Sequence, residues 1–279
     1  MSRQPTSILL PRDADLIQVT GLHKTYPGGQ EVLKGVDLAF RPGEFVAILG
    51  LSGAGKSTFL RCLNRLVEPT SGRILVPGMV VDRPADAVVD IVRVSGPELQ
   101  RWRRRVGMVF QQFNLAKRLS VIDNVLSGSL GYAHPMLSSL RMFSDQEQAR
   151  ALRNLDRVGL LPLAYQRADA ISGGQQQRVA IARALMQCPA MILGDEPVAS
   201  LDPKLSLSIL ELMRNICRED NITVLVCLHV LELAKRYADR VIGFAGGQVV
   251  FDGPPDKLDD LSIRRIYQAK TEELRGFSV

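Results

Sequence analysis

The chain has 279 residues, of which 46% are hydrophobic and 23% are charged, and its formal net charge is +6. This balance is ordinary for a globular protein and argues against a disordered or fibrous chain. The longest apolar runs, such as 45–49 and 222–228, fall far short of the roughly 20 residues of a membrane-spanning helix, so we expect a cytoplasmic protein that does not cross a bilayer by itself. The positive charge fits nucleic acid, an anionic membrane surface or a small anionic ligand, and does not choose among them.

The predicted elements begin after residues 1–13, which we interpret as an N-terminal extension. From residue 45 onward, apolar strand-like runs alternate with helix-like segments, and this alternation predicts an α/β fold with a mostly parallel sheet and helices on its faces. A capping box of Ser144 and Glu147 marks the start of one helix. The predicted strands are 45–49, 106–110, 191–193 and 222–228, and the predicted helices are 57–66, 145–158 and 204–217.

A phosphate-binding loop follows the first of these strands. Residues 50–57, Gly-Leu-Ser-Gly-Ala-Gly-Lys-Ser, fit the Walker A pattern, and the strand before it and the helix after it supply the required context. The loop amides and the helix N-terminus favour phosphate, Lys56 reaches the β- and γ-phosphates, and Ser57 offers a hydroxyl to Mg²⁺. The predicted nucleotide-binding residues are Gly50, Ser52, Gly53, Ala54, Gly55, Lys56, Ser57 and Thr58.

Two further groups of residues carry no predicted chemistry. The densest basic cluster surrounds Trp102 and consists of Arg101, Arg103, Arg104 and Arg105. For this cluster we favour a solvated helix face over a binding patch. The four cysteines are Cys62, Cys188, Cys217 and Cys227. Their irregular spacing suggests neither a zinc site nor a disulfide framework, so we expect reduced thiols in the core.

A second glycine-rich turn opens a helix at Ser172. Ser172 and Gln175 have capping-box spacing, and the exposed amides with the seryl hydroxyl make another anion site, although a plain helix cap is the alternative. Residues 171–178, Ile-Ser-Gly-Gly-Gln-Gln-Gln-Arg, resemble the signature of the ATP-binding-cassette (ABC) ATPases, with Ile171 in place of the usual leucine.

The strand at 191–193 leads into two adjacent carboxylates. Asp195 is predicted to hold Mg²⁺ through water, and Glu196 to polarise the attacking water as general base. Two acids at a strand end are common by chance, so this Walker B pattern gains its weight from the other motifs. Gly194 departs from the apolar side chain usual in the ABC pattern; glycine weakens a strand but permits close packing.

The remaining ABC elements occur in the family's order. Tyr26 resembles the A-loop residue that stacks on adenine, and Gln111 resembles the Q-loop glutamine. Residues 200–202, Ser-Leu-Asp, resemble the D-loop, and His229 resembles the switch histidine. The resemblance extends over about residues 15–252 and implies ATP and Mg²⁺ as ligands.

This resemblance implies a P-loop NTPase fold: an ABC-type ATPase core with a mostly parallel sheet, an antiparallel β region and an inserted helical subdomain at about 113–180. It places the ATPase domain at 14–254, with a C-terminal extension at 255–279. It also implies a dimer in which the signature turn of one copy closes over the ATP of the other. The implied catalytic residues are Lys56, Gln111, Glu196 and His229, the implied metal-binding residues are Ser57, Gln111 and Asp195, and the further nucleotide contacts are Tyr26, Ser172, Gly173, Gly174, Gln175 and Asp202.

Three kinds of ABC machine remain open: a transporter motor, a soluble ATPase of DNA repair or translation, and an ABC-like subunit of a metabolic enzyme complex. Soluble types generally carry two cassettes, a coiled-coil arm or a zinc module, and exporters often fuse the cassette to membrane spans. Neither pattern is visible, so an importer motor is favoured. The implied partners are a second copy, two membrane-spanning permease subunits and a periplasmic or lipid-anchored substrate-binding protein at the cytoplasmic face of the inner membrane, and no nucleic acid.

Four segments narrow the resemblance to the ATP-binding subunits of phosphonate importers: 110–115, 118–125, 172–187 and 195–203. Similar segments occur in importers for amino acids and methionine. The C–P lyase complex also includes ABC-like proteins, which keeps the enzyme-complex alternative open. No residue here is expected to touch the cargo, so the predicted cargo, phosphonate or a related phosphorus oxyanion, rests on the resemblance alone.

Overall fold

A computed structural model describes residues 15–84, 86–132 and 143–275, with side chains described as far as residue 267. A four-stranded antiparallel sheet has the order β2-β1-β4-β5, with β1 (Ile17–Thr25), β2 (Glu31–Phe40), β4 (Ser71–Pro77) and β5 (Val88–Asp90). A six-stranded sheet has the order β10-β9-β3-β8-β7-β6, with β3 (Phe45–Leu49), β6 (Val106–Phe110), β7 (Met191–Asp195), β8 (Thr223–Cys227), β9 (Arg240–Ala245) and β10 (Gln248–Gly253). Only the β9–β10 pair of this larger sheet is antiparallel, which confirms the predicted fold class.

The helices of the described residues pack against these sheets or against one another. They are α1 (Lys56–Leu63), α2 (Gly96–Arg105), α3 (Val121–Leu126), α4 (Asp145–Arg157), α5 (Gly173–Leu185), α6 (Pro203–Asp220), α7 (Leu231–Tyr237) and α8 (Asp260–Arg275). No helix in this part of the chain is long and apolar enough to cross a membrane.

The six-stranded sheet separates two hydrophobic cores. In β3, Phe45, Ala47 and Leu49 face one core, whereas Val46 and Ile48 face the other, as expected for a strand whose side chains alternate and which is buried on both faces. The core beside Val46 also contains α1 and the antiparallel sheet. The core beside Phe45 contains α3, α4, α5 and α6. Helices α1 and α5 therefore pack on opposite faces of the sheet.

The predicted helix at 145–158 is present as α4. Its capping box is complete, because Glu147 N donates to Ser144 Oγ at 3.3 Å and Ser144 N donates to Glu147 Oε2 at 3.0 Å. The predicted helix at 57–66 is shorter, since α1 ends at Leu63. Arg65 has a φ of 56°, and its guanidinium donates to the carbonyls of Ile91, Val92 and Val94. These long-range bonds hold the chain in a conformation that ends the helix.

The interpretation of residues 101–105 as a solvated helix face is correct for Arg103, which is exposed, but wrong for Trp102 and Arg105. Trp102 is fully buried and donates through Nε1 to the Leu63 carbonyl at 2.8 Å. Arg105 is also buried, 3.7 Å from Asp82, and the Arg104 guanidinium lies 5.0 Å from the centre of the Tyr132 ring. Arg104 and Arg105 thus join α2 to its neighbours.

The cysteines are free, as predicted. Cys62, Cys217 and Cys227 are buried in the two cores. Burial raises the pKa of both Cys62 and Cys217 to about 12, so these thiols stay protonated. Cys188 is only partly buried, and its sulfur lies 3.9 Å from the Arg150 guanidinium.

Candidate nucleotide-binding site

The loop at residues 50–55 connects β3 to α1 and requires glycine at its two ends. Gly50 has a φ of 152°, and a Cβ at this position would lie 2.4 Å from the Phe244 carbonyl oxygen. Gly55 has a φ of 103°, and its Cβ would lie 2.9 Å from the Val32 carbonyl oxygen. Only glycine allows the chain to turn this tightly against the neighbouring backbone.

Lys56 is the first residue of α1, and its side chain turns back into this loop. Its buried ammonium donates to the carbonyl oxygens of Gly50 at 2.7 Å and of Leu51 at 3.0 Å. The N-cap of α1, Gly55, provides no side-chain cap, so the first amides of α1 keep their donor capacity. A fixed positive charge beside uncapped helix amides is an anion site of the kind that binds phosphate.

The remaining predicted loop residues surround this position. Ser52 and Gly53 are exposed, Ala54 is buried, and Ser57 and Thr58 are half-buried on the first turn of α1. These residues line the loop and the first turn of α1, where phosphate binding is predicted.

Tyr26 lies beside the first turn of α1. Its hydroxyl is 3.5 Å from Thr58 Oγ1, and the Lys24 ammonium is 5.0 Å from the centre of its ring. The half-buried ring is therefore held next to the phosphate loop, where an adenine could stack on it.

Glu196 and His229 contact each other directly. Glu196 Oε1 lies 2.7 Å from His229 Nε2, although the residues leave different strands, β7 and β8. Glu196 has a φ of 55°, a conformation rare for non-glycine residues and frequent at functional sites. Sequence reasoning predicted a role for each residue but not their contact. Both residues line a mostly apolar cavity of about 460 Å³.

Gly194, the departure from the ABC pattern, has a packing explanation. β7 is continuous through this residue, which pairs with Val109 and Val226. A Cβ on Gly194 would lie 3.1 Å from Pro197 Cγ. Glycine makes room for the proline that follows the two carboxylates.

Asp195 ends β7 with a side chain only 7% exposed, and its Oδ2 accepts a hydrogen bond from Arg61 at 2.9 Å. Arg61 was not among the predicted site residues. A usable signal was its position four residues after Ser57, since residues spaced i and i+4 share one face of a helix.

Gln111 directly follows Phe110, which pairs with Asp195, so the Q-loop begins at the same sheet edge.

A Mg²⁺ ion fits this donor set. The carboxylate of Asp195 is directed at the face of α1 that carries Ser57 and Arg61, as its contact with Arg61 demonstrates. Proteins bind Mg²⁺ through oxygen atoms, commonly one or two carboxylates together with several waters. Ser57 and Asp195 are the residues that would hold it, with the amide of Gln111 at the adjacent strand end.

The signature turn is a self-capped helix start. Gln175 N donates to Ser172 Oγ at 3.4 Å, and Ser172 N donates to Gln175 Oε1 at 2.9 Å. A Cβ on Gly174 would lie 2.9 Å from Leu205 Cδ1, so glycine permits α5 to approach α6 closely. Asp202 caps α6 by accepting from the amides of Lys204 and Leu205, a structural role that the sequence analysis had not assigned.

The Q-loop is attached to α5. The Arg183 guanidinium donates to the carbonyl oxygens of Phe113 at 3.0 Å and Asn114 at 2.6 Å. The Phe113 ring packs beside Gly173, since a Cβ on that glycine would lie 3.6 Å from it. Gln111, Gly173 and Ser200 line one groove of about 720 Å³. The Q-loop, the signature turn and the D-loop thus meet on one surface. Arg183 was not predicted as a site residue, because its partners lie 69 and 70 residues away in the sequence.

In this structure the phosphate loop and the signature turn remain separate. Among residues 15–84, 86–132 and 143–275, no hydrogen bond joins residues 50–58 to residues 172–175. The helices that the two motifs begin lie on opposite faces of the large sheet.

A strand, a glycine-rich loop around a buried lysine and a carboxylate pair at a nearby strand end define a P-loop nucleoside triphosphatase. The chain belongs to the ABC transporter family, whose sequence profile matches residues 33–199. It is therefore an ATP-binding and ATP-hydrolysing cassette of that family.

Among its relatives, the phosphonates import ATP-binding protein PhnC 2 of Halalkalibacterium halodurans is 49% identical over 91% of this chain and all of its own length. The phosphonates import ATP-binding protein PhnC of Bordetella parapertussis is 49% identical over 91% of this chain and 97% of its own. A solved dimeric post-hydrolysis ATP-binding cassette bound to ADP and Pi is 34% identical and superimposes with a TM-score of 0.72 over 86% of this chain and 98% of its own.

Proposed function

We propose that this chain is the ATP-hydrolysing subunit of an importer for phosphonate or a related phosphorus oxyanion. The observation that carries the cargo is the 49% identity, over almost the whole chain, to proteins named for phosphonate import. The phosphate loop, the contact of Glu196 with His229 and the uncapped start of α1 support the ATPase chemistry.

In the proposed mechanism, Tyr26 stacks on adenine, while Lys56 and the first amides of α1 bind the phosphates. Glu196 takes a proton from the attacking water, and the His229 imidazole, 2.7 Å from Glu196, holds this carboxylate in place and contacts the γ-phosphate. When bound at Ser57 and Asp195, Mg²⁺ supplies charge stabilisation to the transferring phosphoryl group.

The complete site is proposed to need two copies of the chain. The helices that follow Lys56 and Ser172 pack on opposite faces of one sheet, so one copy does not bring both motifs to one nucleotide. A related cassette has been solved as a dimer. A second copy would supply Ser172 and Gly174 to the nucleotide held by Lys56.

The proposed assembly contains two such copies, two permease subunits and a periplasmic or lipid-anchored substrate-binding protein, with this chain at the cytoplasmic face of the inner membrane. The proposed ATPase domain spans 14–254, with the helical subdomain at about 113–180 and extensions at 1–13 and 255–279. Relatives named as import ATP-binding proteins support a role in an importer assembly.

The cargo is tested in a strain that lacks this chain and receives a phosphonate as its sole phosphorus source. We expect loss of phosphonate uptake and growth, restored by the wild-type chain and by Glu211→Gln, an exposed control on α6, but not by Glu196→Gln. Undiminished phosphonate uptake together with lost amino-acid or methionine uptake would contradict the proposed cargo. Co-purification with soluble lyase components instead of membrane subunits would contradict the importer assignment.

A further inference from the structure

The carboxylate of Asp195 already has a counter-ion. Arg61 donates to its Oδ2 at 2.9 Å, and the carboxylate side chain is only 7% exposed. An ionised carboxylate this deeply buried is unfavourable unless a positive charge or hydrogen bonds compensate it. Arg61 therefore stabilises Asp195 when no metal is bound.

The same arginine lies where a metal ion is expected. Arg61 follows Ser57 by one helical turn on α1, and Ser57 and Asp195 are the two residues that would hold Mg²⁺. A guanidinium and a divalent cation repel each other, and both are attracted to the Asp195 carboxylate. Arg61 and Mg²⁺ therefore cannot both interact fully with Asp195 at the same time.

We propose that Arg61 and Mg²⁺ compete for Asp195, so that Arg61 lowers the affinity of the ATP-bound enzyme for the metal. This inference rests on the proposed ATPase site. Arg61 is a positioning residue for the metal-free carboxylate, and its release accompanies metal binding.

The exposures of the two site cations support this division of roles. The Arg61 side chain is 46% exposed, so its guanidinium can move into water at little cost. Lys56 is buried and anchored by two backbone carbonyls. Arg61 is thus the cation that can leave.

If Arg61 assisted metal binding instead of competing with it, removing Arg61 would change the metal affinity in the opposite direction. If Arg61 only held Asp195 in the orientation that the metal needs, its removal would weaken metal binding. Competition predicts that removal strengthens it. The sign of one affinity change therefore decides between the two roles.

The test measures Mn²⁺ binding, as a stand-in for Mg²⁺, by electron paramagnetic resonance of the ATP-saturated protein. The parent carries Glu196→Gln so that ATP is not consumed. Arg61→Gln in this parent is expected to bind Mn²⁺ about fivefold more tightly, the size expected for losing one partly exposed ion pair. Arg61→Lys keeps the charge and should stay closer to the parent.

A matched control is Arg153→Gln, which removes the same charge from an exposed position on α4 and should leave Mn²⁺ affinity unchanged. The affinity for ATP in the presence of a chelator verifies that each variant retains a folded nucleotide site. Unchanged or weaker Mn²⁺ binding in Arg61→Gln would overturn the competition. Failure of the parent itself to bind ATP or Mn²⁺ would overturn the proposed site as well, which distinguishes the two failures.

Salt provides a second readout on the same proteins. A partly exposed ion pair is screened by salt. If Arg61 competes through its charge, the difference between the parent and Arg61→Gln should shrink as salt concentration rises. A difference that does not respond to salt would contradict a charge-based competition.

Discussion

The two glycine-rich helix starts of this molecule differ in how their amides are satisfied. Helix α1 begins at Gly55 without a side-chain cap, and Lys56 turns back onto the loop carbonyls. Helix α5 begins with a complete capping box of Ser172 and Gln175. The α1 start keeps its first amides for a phosphate, whereas the α5 start already uses the amides of Ser172 and Gln175 in its own capping box.

The uncapped α1 start is suited to permanent contact with a nucleotide, and the self-capped α5 start to contact that forms only in the dimer. An uncapped helix start with a buried lysine is incomplete without an anion, as expected for the surface that holds ATP throughout the cycle. A self-capped start is stable in water and can stay exposed until the second copy brings a nucleotide to it. If the two starts have these separate roles, substitutions at each start should have different effects.

The largest loss of ATP turnover is expected when the general base is removed and both helix starts are left intact. Glu196→Gln should lower turnover by about 10²–10⁴-fold, the usual contribution of a general base, with nearly unchanged binding of Mg-ATP. The purified variant should accumulate as an ATP-bound dimer on size-exclusion chromatography. An ATPase rate equal to that of the wild type would refute the role of Glu196.

The next largest effect is a loss of nucleotide affinity at the α1 start alone. Tyr26→Ala should weaken nucleotide binding by about 1–3 kcal/mol, the range for stacking a base on an aromatic ring. ATP and GTP should be affected alike in calorimetric titrations, because stacking tolerates any base. Tyr165→Ala, which removes a ring that is 78% exposed, is the control and should leave binding unchanged. Equal affinities of wild type and Tyr26→Ala would assign Tyr26 a structural role only.

The smallest effect separates capping from nucleotide contact. Ser172 and Ser144 each begin a helix with a complete capping box, so replacing either with alanine should lower the free energy of unfolding by about 1 kcal/mol. Only Ser172→Ala should also lower ATPase activity, because only that turn is proposed to meet a nucleotide. Denaturant titrations and ATPase assays on both variants measure this, and equal activity in the two would leave Ser172 as a plain helix cap.

Local signals explain which parts of the structure could be predicted. The strand at 45–49 and the helix after Ser144 were correct because apolar periodicity and a capping box are read from neighbouring residues. The phosphate loop was placed for the same reason. The end of α1 at Leu63 was missed because Arg65 is held by carbonyls 26 to 29 residues away.

Long-range contacts explain what could not be predicted in the site. Arg61 and Asp195 are 134 residues apart, and no local pattern links them. The contact between Glu196 and His229 depends on the pairing of β7 with β8. The family resemblance suggested which residues have roles, but the partners of those residues follow from the sheet order.

Each ATP site is proposed to use the α1 start of one copy and the α5 start of another. Lys56→Ala removes the phosphate clamp of its own chain, and Ser172→Arg blocks the signature turn. Each variant alone should be inactive, but a heterodimer of the two pairs the intact Lys56 of one chain with the intact Ser172 of the other. The direct measurement is single-turnover cleavage of labelled ATP in verified heterodimers, where we expect cleavage at one site. If these heterodimers stay as inactive as either parent, while wild-type chains paired with a Lys56→Ala, Ser172→Arg double mutant still cleave at a single site, the shared site is contradicted.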